Sequence, residues 1–134
     1  LFKNIRVNVL NGVLKNEEKI FIKYKLTPVI NDYTQFIRWT GYLKNKKKER
    51  LIIHFDTGMC RLGFQEYDTK KLYKKINIIK KFNYVLIMSH LASSSNKNDK
   101  YNIIQLNRFK KIKKLFSGFK YSLSASGGIF LGKK

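Results

Sequence analysis

The sequence predicts an α/β fold built on a parallel sheet, and three observations carry that expectation. Strand-like and helix-like segments alternate along the chain. The strand-like runs, LIIHF (51–55) and YVLIM (84–88) above all, are apolar at successive positions, as strands covered on both faces require. Polar and small residues (Asp56, Arg61, Ser89, His90, Ser126) collect just past the ends of those runs. Chemistry sits at that carboxyl edge in parallel folds, whether barrel or doubly wound sheet.

The elements follow in order. Ile5 to Leu10 reads as a first strand ending at Asn11-Gly12, and Asn16 to Tyr24 as a short helix with Asn16 as N-cap and Ile20, Phe21 and Tyr24 on one face. Leu26 to Ile30 is a second strand. Asp32 with Gln35 three residues on resembles a capping box, opening a helix that turns Phe36, Ile37 and Leu43 inward. Leu51 to Phe55 is the third strand. Asp68 or Thr69 then caps a helix using Leu72, Tyr73, Ile76 and Ile79. Tyr84 to Met88 is the fourth strand, followed by a polar loop from Ser93 to Asp99. Leu106, Phe109, Ile112 and Phe116 repeat at helical spacing within 103–116, closed by Ser117-Gly118. Tyr121 to Ser124 starts a fifth strand leading into Ser126-Gly127-Gly128. Five strands separated by four helices, in units of roughly 20 to 35 residues, imply a sheet of βα repeats.

Length and composition bound the rest. At 134 residues the chain suffices for one domain with a core. Its apolar runs are too short and too interrupted to cross a membrane. A lone cysteine, Cys60, forms no internal disulfide and fits a reducing cytoplasm. The chain opens on Leu1 and closes on Lys133-Lys134 directly after an apolar run, so the expectation is a piece of something larger. The net charge of +21 invites a basic nucleic-acid-binding module as an alternative reading. Against it, 24 of the 29 basic residues are lysine, spread over every predicted helix rather than gathered in one stripe. Lys44 to Lys48 is the one dense run and falls in a loop, so solvated surface lysine is the preferred reading.

Several residues carry candidate chemistry. Arg61, in a Gly-flanked loop after the third strand, offers a planar fork to a carboxylate, and the buried strand before it argues against solvent exposure. Asp56-Thr57-Gly58 is either part of that site or a turn with a capping Asp. His54 and Asp56 alternate onto one face of the sheet, pointing into its interior. His90 ends the run VLIMSH at the fourth strand's carboxyl end. The Ser126 hydroxyl and the amides of Gly127-Gly128 suit a phosphate. No Walker motif, dinucleotide glycine fingerprint or spaced Cys/His metal set occurs. Asp-Thr-Gly after an apolar strand also matches a small dimeric aspartic protease, but that fold is all-β and the capped helices contradict it.

DTGMCRLGF (56–64), MSHLASS (88–94) and SLSASGGIFLG (122–132), in that order and spacing, resemble the alanine racemase family. VLNG (9–12) and LTPVI (26–30) also look like the third and fourth strands of its barrel. The resemblance covers essentially all of 1–134 and implies an incomplete (β/α)8 TIM-type barrel, with the five strands as its third to seventh and the C-terminal β-domain absent. It implies a pyridoxal 5'-phosphate-dependent isomerase acting on alanine, cytoplasmic and homodimeric, which supplies D-alanine for peptidoglycan. Arg61 would lie near the cofactor's phenolic oxygen and the substrate carboxylate. His90 would orient a second arginine facing the pyridine nitrogen, and Ser126 would bind the cofactor phosphate, with His54 and Asp56 in support. Two positions depart from the commonest pattern. Ala125 replaces an asparagine, and His54 stands where some members carry a carbamylated lysine, so Arg61 would need another counter-ion or a bound anion. The family's Schiff-base lysine motif and catalytic tyrosine are not found, so no catalytic residue is assigned and the segment is not expected to racemise alanine alone.

Overall fold

The computed structural model describes residues 5–44, 49–123 and 125–132. Its parallel sheet has the order β1 (Asn8–Val9), β2 (Thr27–Ile30), β3 (Arg50–His54), β4 (Tyr84–Ser89), β5 (Lys120–Leu123). Each strand lies beside its sequence neighbour. A doubly wound sheet reverses direction at a switch point, whereas this order winds one way and, with right-handed crossovers, keeps every helix on one face. That is the winding of a barrel wall.

Register separates the two faces. Ile30, Ile53, Ile87 and Tyr121 form one row across β2–β5, facing the helices. Val29, Ile52, Leu86 and Lys120 form the next row, turned to the opposite, inner face. On the helix side Leu51, Ile53 and Phe55 join Phe36, Trp39, Leu72, Ile79, Phe109 and Phe116 in the core. Phe55 is its hub, 5.2 Å from the Phe116 ring and 5.7 Å from that of Phe64.

The helices are α1 (Glu18–Lys23), α2 (Tyr33–Leu43), α3 (Glu66–Tyr73), α4 (Ile76–Ile79) and α5 (Tyr101–Leu115), followed by a 3-10 helix over Ser126–Leu131. Several local expectations need correction. Asn16 does not cap α1: it takes a left-handed conformation (φ 73°), which asparagine tolerates, and Glu17 is the N-cap. Only Phe21 of the proposed α1 face is buried, while Ile20 and Tyr24 are exposed. At α2 half of the capping box forms. Asp32 accepts from the Gln35 amide, but the Gln35 side chain reaches Asn31 N and Asn11 O instead of the cap. Ile37 is exposed and Trp39 takes its expected inward place.

Neither Asp68 nor Thr69 caps α3. The chain returns to β3 at Phe64, so the helix starts directly afterwards with Gln65 at the N-cap. A break at Lys74–Lys75 divides the expected single helix into α3 and α4, burying Leu72 and Ile79 but leaving Tyr73 exposed. The first strand ladders over two residues alone, with Ile5 and Leu10 exposed. The loop run 45–48 and Ser124 of the fifth strand lie outside the described residues. The parallel sheet and its helices rule out the all-β protease alternative.

Among the described residues no strand covers the outer edge of β1 or β5. Ile5, Val7 and Leu10 are exposed near one edge, and Ile129 and Phe130 near the other. Unpaired strand edges beside apolar patches recruit other chains. The 134-residue chain is therefore expected to elute above its 15.9 kDa mass in size exclusion with light scattering, increasingly so with concentration. A concentration-independent monomer would contradict this.

Candidate functional site

The site forms where β3 and β4 end. Beyond His54 the chain leaves the sheet, turns through Asp56-Thr57-Gly58, carries Arg61, and comes back at Phe64. Two hydrogen bonds close this loop, Phe64 N to His54 O at 2.7 Å and Asp56 N to Phe64 O at 3.0 Å. The Asp56 carboxylate organises the turn from inside. Its Oδ1 accepts from Gly58 N and Cys60 N, and its Oδ2 from Gln65 Nε2. Partial burial raises the Asp56 pKa, but these hydrogen bonds outweigh it and hold the carboxyl below its ordinary value.

Helix α5 clamps the turn from outside, through residues that sequence reasoning did not single out. Tyr101 donates to Gly58 O at 2.9 Å and Arg108 Nη1 to Thr57 O at 3.1 Å. Gly58 has φ +132°, and a Cβ there would run into the Tyr101 hydroxyl, so glycine alone fits. Gln105, fully buried, joins both strand ends. Its Nε2 donates to Thr57 Oγ1 and His90 O, its Oε1 accepts from Ala92 N, and Thr57 Oγ1 lies 2.7 Å from Ser89 Oγ. A polar residue one helical turn before Phe109, on the buried stripe, was the available signal. Gln105→Leu strands these buried groups and should cost roughly 3 kcal/mol, read from urea unfolding at low protein concentration. A loss of under about 1 kcal/mol would deny the clamp.

On the inner face His54 is buried and its Nδ1 lies 2.9 Å from Asn31 Oδ1. Burial lowers its pKa to about 4, with His90 and Arg61 pushing the same way and Asp56 opposing. His90, half-buried at the end of β4, is likewise lowered by burial and by Arg61. His54, Asp56, Arg61 and His90 thus act on one another, as a site at this edge demands. Contrary to expectation, Arg61 is exposed: the loop holds it beyond the buried strand rather than within it. Among the described residues it has no ion-pair partner. Ser126 shares the carboxyl edge, exposed at the start of the 3-10 helix, but no described hydrogen bond or ion pair joins it to the other four. The Gly127 backbone packs so closely on the loop after β4 that a Cβ would lie 2.8 Å from Ser94 O.

No group of three His, Cys, Asp or Glu among the described residues is placed for a metal ion, and no described helix is long and apolar enough to cross a membrane. Exposed lysines cover α1, α3 and α5 alike, without a single basic face.

The low His54 pKa makes the fold acid-sensitive. An unfolded histidine takes up its proton near pH 6.5, whereas folded His54 does so only near pH 4. Stability is therefore full above about 6.5 and falls as pH drops towards 4, by roughly 3 kcal/mol for this group. His90 adds in the same direction, and the Asp56 contribution is lost only in stronger acid. Urea melts from pH 7 to 4 should show the loss, and His54→Gln should flatten most of it.

Comparison with known proteins gives a consistent result. Residues 2–134 match the family described as "Alanine racemase, N-terminal domain". The alanine racemase of Rickettsia rickettsii (strain Sheila Smith) is 39% identical over 133 residues, 97% of this chain and 37% of the relative. That of Rickettsia bellii (strain RML369-C) is 37% identical over 131 residues, 96% of this chain and 32% of the relative. The chain thus spans about a third of the curated relatives it matches. The crystal structure of alanine racemase from Bartonella henselae, described with covalently bound pyridoxal phosphate, superposes with a TM-score of 0.91 at 32% identity, covering 99% of this chain and 39% of that one. Alanine racemase from Acinetobacter baumannii, at 24% identity and TM-score 0.80 over 93% of this chain and 37% of that one, shares the fold. The five-stranded sheet is accordingly part of a TIM-type barrel wall.

Proposed function

The chain belongs to the alanine racemase N-terminal domain family, and on that premise we propose that it is the cofactor- and substrate-holding wall of a pyridoxal 5'-phosphate-dependent enzyme that interconverts L- and D-alanine. Residues 1–134 form part of one barrel domain. The product would supply D-alanine for peptidoglycan, in a cytoplasmic homodimer.

One observation carries the reading: an arginine free of carboxylate partners among the described residues stands beside two histidines held towards neutrality, at the carboxyl end of β3 and β4. The donor set fits the ligands. A free guanidinium suits an amino-acid carboxylate and a phenolic oxygen, an exposed hydroxyl on Ser126 suits a phosphate, and the nearby carboxylate of Asp56 is already committed to its own turn. When bound, pyridoxal phosphate withdraws electrons from the α-carbon of the amino acid. Arg61 holds the carboxylate and orients the α-carbon. His90 supports the cofactor-facing arginine that the family resemblance implies, and Ser126 Oγ donates to the phosphate. Asp56 keeps the Arg61 loop closed. No proton-transferring group is assigned within this chain, so it binds and orients, and the 134-residue chain alone is expected to show no racemisation.

The test replaces the matching segment of the Bartonella henselae enzyme with this chain. The chimera should bind pyridoxal phosphate and racemise alanine. Arg61→Gln should lower kcat/KM for alanine by a factor on the order of 100, about 3 kcal/mol of carboxylate recognition. Ser126→Ala should weaken cofactor binding on the order of tenfold, about 1 kcal/mol for one hydrogen bond. A folded chimera that binds no pyridoxal phosphate would overturn the reading.

A further inference from the structure

The Asn31 side chain has a fixed orientation. Its Nδ2 donates to Leu10 O at 2.8 Å and Val29 O at 3.0 Å, which leaves Oδ1 as the atom 2.9 Å from His54 Nδ1. A carboxamide oxygen only accepts, so His54 Nδ1 carries the proton. Asn31 is held in turn by Gln35, whose Oε1 accepts from Asn31 N at 3.0 Å while its Nε2 donates to Asn11 O at 3.1 Å. Asn31, Gln35 and His54 are all buried. The relay therefore runs from the end of β1 through the start of α2 to the inner face of β3, and it ends in an imidazole with one nitrogen unaccounted for.

We propose that Asn31 locks His54 as the neutral Nδ1–H tautomer, whose bare Nε2 accepts a hydrogen bond from Arg61, so that His54 is a positioning residue that orients the guanidinium without cancelling its charge. The loop that carries Arg61 is pinned at both ends, at His54 O and Asp56 N, and the guanidinium lies near enough to act on the imidazole electrostatically. The ionisable groups that act on His54 are His90 from β4 and Asp56 and Arg61 from the loop, while β2 offers the neutral Asn31. A charged imidazole here would face Arg61 with like charge. A neutral acceptor instead leaves the arginine its full charge for a ligand carboxylate, a role that rests on the functional reading above.

The experiment is histidine-selective 15N NMR on the 134-residue chain and on the Bartonella henselae chimera, both without cofactor. His54→Gln assigns the signals. The expected pattern is a protonated Nδ1 and an unprotonated Nε2, persisting from pH 8 to 5. Arg61→Gln should shift the Nε2 resonance while leaving Nδ1 nearly unchanged, a response that a merely structural histidine would not give. Asn31→Asp should raise the titration midpoint by about one unit or more, because a carboxylate favours imidazolium, and Asn31→Leu should admit the second tautomer. A protonated Nε2 in the unsubstituted protein, or an Nε2 signal indifferent to Arg61→Gln, would overturn the proposal even if the Asn31 variants fail to fold. That result is separable from failure of the functional reading, which is scored by cofactor binding in the chimera.

Discussion

One register, with Ile53 beside Ile87 and His54 beside Met88, decides what each face of this sheet can do. In parallel strands, paired residues point the same way, so Ile53 and Ile87 enter the helix-side core while His54, Met88 and Ser122 line the inner face. A slip of one residue in β3 would bury the imidazole on the side of Phe109 and Phe116 and turn Ile53 and Phe55 towards the site. The aromatic packing around Phe55 makes that slip costly. The hydrophobic layer thus fixes the chemistry of the opposite face, though it contributes no atom to it.

Packing sets the register, but it cannot hold a loop in place. That task falls to three carboxamides. Gln35 and Asn31 tie the ends of β1 and β2 to His54, and Gln105 ties the turn after β3 to the end of β4. Amides suit this work because each offers both donor and acceptor without a charge to desolvate. An ionised carboxylate at position 31 or 105 would pull histidine titration upward or compete with ligand for Arg61. The carboxylate that acts on His54, Asp56, is spent on its own turn. The result is a binding edge at which the Arg61 guanidinium has no ion-pair partner among the described residues.

The sheet was readable because buried parallel strands leave a local signature: LIIHF and YVLIM are apolar at consecutive positions, and their ends coincide with the polar residues of the site. Helix boundaries were less legible. Asp68 and Thr69 are good N-caps by type, yet α3 starts earlier because the chain must return to β3 at Phe64, a tertiary demand that no local motif records. The same holds for Gln35, which begins as half of a capping box and gives its side chain to Asn31 and Asn11. Arg61 and His90 could be picked out because they directly follow strands. Gln105 left only the faint signal of a polar residue on a buried stripe, and the partners of Tyr101 and Gln105 lie 43 and 48 residues away in the chain.

The charge of +21 shows how composition misleads where position informs. Most of it is lysine distributed over exposed helix faces and loops and screened by salt. At the site itself, the two histidines are pushed towards the neutral form by burial and by Arg61. The histidines therefore add little positive charge there, and with Arg108 spent on Thr57 O, Arg61 is the guanidinium left without an ion-pair partner among the described residues. A single unopposed cation discriminates by geometry as well as by sign, because a planar fork binds a carboxylate in one orientation. A field of lysines would attract the same anion and leave it free to turn.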